Sequence, residues 1–158
     1  MTFRPVLEGE WQQLRDALYL RERIQARANQ LVQWLHDSFK VHEPRETAAL
    51  KFEPEADEDI VCKITSAVGR GRIRLDWALV GDELYGVLIV EKLLRGENDE
   101  PRWMQVWQLN IPETSAIFVA EPGDGFVLRS NASRQLEFDV FAIGMSILFA
   151  IISGPVTR

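Results

Sequence analysis

Cysteine is almost absent from this chain of 158 residues: Cys62 stands alone, so no intramolecular disulfide can form. A lone thiol fits a reducing compartment. The opening MTFRPVLEGEW lacks the apolar core of a signal peptide, so a cytoplasmic protein is expected. Histidine is nearly as scarce. His36 and His42 are the only two, and neither has neighbouring ligands at metal-binding spacing, which argues against a His/Cys zinc site. Positive charge is in deficit: 18 Lys and Arg against 24 Asp and Glu leave a net charge of −6. That sign disfavours nucleic acid or an anionic membrane as the main partner. No internal repeat or low-complexity stretch occurs, and G-x-S-x-G, P-loop and H-E-x-x-H patterns are missing. No apolar run reaches the roughly 20 residues of a membrane span.

What is present is a block from Gln135 to Ser153 that is apolar almost all the way round and stops at Gly154-Pro155. Between Val140 and Ile152 its only clearly polar side chain is Ser146. Such a segment reads as a buried helix that must be covered on most of its circumference. A longer helical pattern opens the chain, over 8–39. Leu14, Ala17, Ile24, Ala28, Leu31, Val32, Leu35 and Phe39 recur on one stripe, and Pro44 closes the segment. A straight helix of that length runs ~48 Å, so it is expected to break or overhang a domain this small.

Between the helices, 48–130 reads as an antiparallel meander of about six or seven strands. Gly69-Arg70 and Gly81-Asp82 have the form of two-residue hairpin turns. Closing the first at Val68 and Gly71 sets Ile60, Cys62 and Ile64 opposite Leu79, Trp77 and Leu75, with Lys63 facing Asp76 and Thr65 facing Arg74. Closing the second at Val80 and Glu83 sets Leu79, Leu75 and Ile73 opposite Leu84, Leu88 and Val90. Arg72 then meets Glu91, and Trp77 lies across from Gly86, whose missing side chain leaves room for the indole. Trp103, Trp107 and Leu109 are expected on the core face. Two shorter strands follow, near 116–120 and 126–129, joined by the turn Pro122-Gly123-Asp124-Gly125. Ser130, Asn131 or Ser133 caps the last helix, over 133–153. The whole is a single α+β domain.

Val87, Ile89, Leu93, Met104 and Val106 point away from that core face yet are also apolar. A sheet with two apolar faces needs two covers. Either the two helices sit on opposite faces, or both share one face and a partner covers the other. Both arrangements fit the sequence.

Three groups of residues stand out. On the last helix Gln135, Asp139, Ala142, Ser146, Ala150 and Ser153 recur at spacings of three and four, so they share one narrow face. That face either reaches solvent, or packs closely against another helix, the same stripe in a second copy being one such partner, or lines a cavity between helix and sheet. Arg70, Arg72 and Arg74 gather in the run GRGRIR, either as a solvated strand face or as a dock for an acidic segment or phosphate. Arg23, Arg27 and Trp34 adjoin the apolar stripe of the first helix, either as the margin of the core or as interface anchors. The acidic loop from Glu53 to Asp59 lacks the ligand pattern of a calcium site.

Catalytic chemistry has little support. Cys62 falls on the core face as an inert thiol. Glu91 and Lys92 point to opposite faces of their strand, so they cannot share a metal. Asp139, entering an apolar helix, is the one acid/base candidate, and no second group accompanies it. In size and charge the chain is similar to small acidic α+β accessory proteins of bacteria, such as secretion chaperones and immunity proteins; the likeness rests on composition and carries no motif. The reading is a non-enzymatic protein-binding module without cofactor or metal, contacting a protein partner or a second copy of itself. A carrier of a small apolar ligand, held between the last helix and the sheet, is the alternative. An enzyme using Asp139 comes third.

Overall fold

The computed structural model describes residues 4–57, 59–80, 83–96, 98, 100–112, 117–120, 125–127 and 134–154. Helix α1, Glu8–Val41, is one continuous segment of 34 residues. Glu10 helps to start it, pairing with Arg4 at 2.7 Å and accepting a hydrogen bond from the Leu7 N–H at 3.0 Å. The Arg4 contact first, and then that from Leu7, holds the exposed Glu10 carboxyl at about 2. The helix overhangs rather than breaks: burial begins only at Ala17, and Trp11 and Leu18 are exposed. The seven buried residues, Ala17, Ile24, Ala28, Leu31, Val32, Leu35 and Phe39, are the expected stripe without Leu14.

A single turn, α2 (Pro44–Thr47), links α1 to the sheet. It ends at Ala48 and Ala49, both in the left-handed region at φ 53°. The Ala48 carbonyl accepts from the Ala67 N–H at 2.7 Å, tying the connector to the first hairpin.

The strands are β1 (Lys51–Pro54), β2 (Ile60–Ser66), β3 (Gly69–Val80), β4 (Glu83–Arg95), β5 (Pro101–Pro112), β6 (Ile117–Ala120) and β7 (Gly125–Val127), paired antiparallel in chain order. Five of them, β1 to β5, make the body of the sheet, so the strand count is about five against the six or seven expected. Segments β6 and β7 are only four and three residues long, and among the described residues β6 meets β5 at Leu109 and Asn110. The architecture is α+β as expected, with α3 over Arg134–Ser153. The Gly81-Asp82 turn, Pro122 to Asp124, the proposed caps Ser130, Asn131 and Ser133, and Pro155 lie outside the described residues.

The β3–β4 register is the expected one: Leu79–Leu84, Leu75–Leu88, Ile73–Val90 and Arg72–Glu91 pair directly. The β2–β3 register is not. Ala67-Val68 forms the turn, and Thr65 pairs with Arg70, Lys63 with Arg72 and Cys62 with Ile73. The reason is local hydroxyl chemistry. Ser66 Oγ accepts from the Val68 N–H at 3.2 Å and donates to the Gly69 carbonyl at 2.7 Å, closing the turn two residues early. The glycines serve packing instead. A Cβ on Gly69 would sit 2.9 Å from Ile151, and one on Gly71 would sit 2.8 Å from the Glu91 carbonyl and 3.2 Å from Ile151. Because the slip is even, the side chains from Cys62 to Ser66 keep their faces; a bulge between Ile60 and Cys62 pairs Ile60 with Arg74, so Val61 and not Ile60 joins the core there. The space above Gly86 is likewise filled by Ile24 of α1, which stands 2.5 Å from where a Cβ would be, and not by the Trp77 indole.

A second correction concerns β5. A bulge opposite Val90 and Glu91 leaves Val106 as the extra residue, with Trp107 facing Val90 and Gln105 facing Glu91. It inverts the strand's outer half. Trp103 moves to the face away from the helices, beneath the Arg72 guanidinium at 4.0 Å, instead of joining the core. Met104 and Val106 turn to the helix side, where Val106 meets Gly154.

Both helices lie on one face of the sheet. Ile24 of α1 packs over Gly86, Ile151 of α3 packs over Gly69 and Gly71, and the helices meet where Phe39 crosses Gly144. That crossing admits no side chain, since a Cβ on Gly144 would run into the Phe39 ring. Phe39 and Phe141 stack there at 5.5 Å.

Candidate functional site

The helix α3 is less covered than its composition demands. Leu136, Val140, Ile143, Ile147, Leu148 and Ile151 are buried, but Phe138, Phe149 and Ile152 are 66, 71 and 51 % exposed. By length and composition Leu136–Ser153, with mean hydropathy 1.9, is long and apolar enough to cross a membrane, although the sequence reading set this block just short of a span. Its packing against α1 and the sheet is that of a core helix with one uncovered side.

That side borders a cleft of about 720 Å³ between α3 and β5. Gln105, Val106 and Trp107 form one wall; Ala142, Met145, Ser146, Phe149 and Ala150 form the other. The serines do not make it polar. Ser146 Oγ donates to the Ala142 carbonyl at 2.7 Å and Ser153 Oγ to the Phe149 carbonyl at 2.5 Å, so both hydroxyls turn back onto their own helix. At the end of the cleft Lys92 of β4 extends to the Gly154 carbonyl at 3.5 Å, placing a cation at the helix C-terminus, which has none of its own. A second groove, about 730 Å³, runs between α1 and α3 and is lined by Trp34, Val41, His42, Phe138 and Phe141.

Of the stripe picked from sequence, Ala142, Ser146 and Ala150 line the cleft together. Asp139 is half-buried and outside it, and the Gln135 side chain lies outside the described residues. The arginines of GRGRIR share one face, but two of them are engaged. Arg72 and Arg74 each donate through Nε to Glu91 Oε1 at 2.8 Å. Burial pushes the Glu91 carboxyl up, yet hydrogen bonds and charge from the two guanidinium groups outweigh it and hold the group below its ordinary value. Arg70 is exposed. On α1, Arg23 is exposed, while Arg27 is half-buried and donates to the Pro112 carbonyl at the end of β5. Burial lowers the Arg27 pKa. Trp34 packs at the margin of the core. The fold therefore puts Arg70, Arg72 and Arg74 on the opposite side of the sheet from Arg23, Arg27 and Trp34.

The residues that sequence reasoning missed are Val106, Trp107, Met145 and Phe149. The two on α3 were visible as apolar positions one step round from Ala142 and Ser146. The two on β5 depend on the bulge, which has no glycine or proline to announce it. Catalytic candidates fare as follows. Cys62 is buried opposite Ile73, not Trp77, and burial pushes its thiol pKa up, away from the reactive thiolate. His36 Nδ1 lies 2.8 Å from the Phe52 carbonyl, which can only accept, so Nδ1 carries the proton. His42 packs between Phe39 and Phe141. Among the described residues no cluster of three His, Cys, Asp or Glu could hold a metal. No protein-family model, no curated protein and no solved structure matches this chain.

Proposed function

We propose that this chain is a non-enzymatic binding module that acts through protein–protein contacts, made by the α3 and β5 side of the molecule. The observation that carries the reading is the exposure of Phe138, Phe149 and Ile152 on a helix whose other sides are packed. Exposed aromatic groups beside a pre-formed cleft are the features that concentrate binding energy in interfaces. A cytoplasmic setting accords with the single buried thiol. Arg72 and Arg74, both bound to Glu91, are assigned to holding the sheet, and Arg70, Arg23 and Trp34 to the periphery of any contact.

The test compares immobilised wild-type chain with the variant Phe138→Glu/Phe149→Glu in a lysate of the source organism. Proteins, further copies of the chain included, held by the first and lost from the second are expected. Equal retention on both would contradict the reading.

A carrier of a small apolar ligand is the second reading. The cleft favours it, because about 720 Å³ lies within the range of small-molecule sites and Ala142, Ser146 and Ala150 line it. Native mass spectrometry of tag-free protein showing a monomer with a discrete bound mass, lost on Ser146→Leu, would favour that reading instead.

A further inference from the structure

The two edges of the sheet differ in kind. Strand β1 is four residues long, carries Lys51 and Glu53, ends in Pro54, and has the His36 ring on its Phe52 carbonyl. These are ordinary protections against edge pairing. Strand β5 is twelve residues long, and among the described residues β6 pairs with it at Leu109 and Asn110. Among the described residues no strand pairs with Arg102–Val106 on the side away from β4. That stretch exposes Trp103 and Met104 and has neither Lys nor Pro within it. A row of backbone N–H and C=O groups that no described residue hydrogen-bonds is a template for another extended strand.

Resting on the binding reading above, we propose that a second copy of this chain adds its β5 antiparallel to this edge, across a two-fold axis within Arg102–Val106. An antiparallel strand edge can pair with its own copy across such an axis. Pairing β5 with its mate places a second α3 across the same cleft, so that the two small-residue walls, Ala142, Ser146 and Ala150, face each other and Phe149 of each copy enters the space between. The edge and the cleft, separate features of one chain, become one interface. Its apolar content is sufficient. Trp103, Met104, Phe149 and Ile152, at 36, 39, 71 and 51 % exposure, offer roughly 400 Å² of apolar surface, near the apolar share of a standard interface of about 800 Å² per partner. The bulge at Val106 limits the added ladder to the outer half of β5, where Trp107 and β6 do not intrude.

The register makes this testable by disulfide scanning. Arg102→Cys, Trp103→Cys, Met104→Cys, Gln105→Cys and Val106→Cys are made singly in the full chain, with Phe138→Cys as a control on α3. Buried Cys62 stays out of the reaction. In an antiparallel pair only the residue at the axis meets its own mate, at about 4.5–5.5 Å between Cα atoms, which a disulfide spans; two residues away the mates stand roughly 13 Å apart. The expected result is a wild-type dimer in solution and one β5 position that cross-links at least ~10-fold more than positions two residues away. A dimer that links through Phe138→Cys and at none of the five β5 positions would overturn strand pairing while leaving a protein-binding function intact. A wild-type monomer at every concentration would overturn it as well, and the lysate comparison above then decides the binding reading by itself.

Discussion

The α1–β1 side and the α3–β5 side of this molecule are built from similar parts to different standards. On the first, a helix with one apolar stripe covers its share of the sheet, and its exposed apolar side chains, Trp11, Leu18, Tyr19 and Val41, lie towards its two ends in a mainly polar surface. The strand at that edge is short, charged and tied to α1 through His36. On the second, a helix apolar on nearly every face is buried on part of its circumference, beside a long strand whose outer half pairs, among the described residues, on the β4 side. A helix that is hydrophobic all round ordinarily sits inside a protein. The difference is what the proposed association would explain: the first side is covered within one chain, and the second would be covered by an added partner.

Substitutions sharpen this contrast because their cost should follow it. The largest effect is expected on the finished side. Ile24→Ala removes the side chain that fills the space over Gly86 and should lower unfolding stability by about 2–5 kcal/mol in urea denaturation. At the seam between the sides, Gly144→Ala forces the Phe39 ring aside and should cost about 1–3 kcal/mol by the same measurement. On the face away from both helices, Glu91→Gln weakens the charge-assisted bonds from Arg72 and Arg74, for a loss of about 1–3 kcal/mol near neutral pH.

That last variant also has a pH signature. The Glu91 carboxyl is held lower in the folded chain than in the unfolded one, so the folded state binds fewer protons there. Its contribution is fully present above the unfolded pKa of about 4.3 and is lost as pH falls through the lower folded value. Wild-type stability should therefore drop more steeply on acidification than that of Glu91→Gln, and the two curves should converge at low pH. Curves that stay parallel would remove the pair from the account. The smallest effect on the fold is expected on the open side. Phe149→Ser should change the stability of dilute, monomeric protein by no more than ~0.5 kcal/mol, yet abolish association.

How far the sequence reaches follows the same division. The α1 stripe was legible because seven buried residues repeat at helical spacing and most of the remaining positions are polar. The β3–β4 register was legible because face sorting fixes it. The β2–β3 turn was not, since Gly69 and Gly71 resemble turn residues while serving the close approach of Ile151, and Ser66 makes the turn through its hydroxyl. Nor was the bulge at Val106, which carried Trp103 to the other face and Met104 to the helix side. The placement of both helices on one face was one of two open arrangements. Only the contacts of Ile24 and Ile151 with glycines on that face decide it. Half of the site was therefore readable, the α3 wall of Ala142, Ser146 and Ala150, because it rests on helical periodicity. The β5 wall rests on an irregularity without a residue signature.

Amide hydrogen exchange at low and high protein concentration tests the central claim most directly. It compares the amides of Arg102–Val106 with those of Lys51–Pro54 in one experiment. The account predicts that protection at Arg102–Val106 rises with concentration while β1 stays unchanged. Exchange on β5 that is equally fast at both concentrations would contradict it.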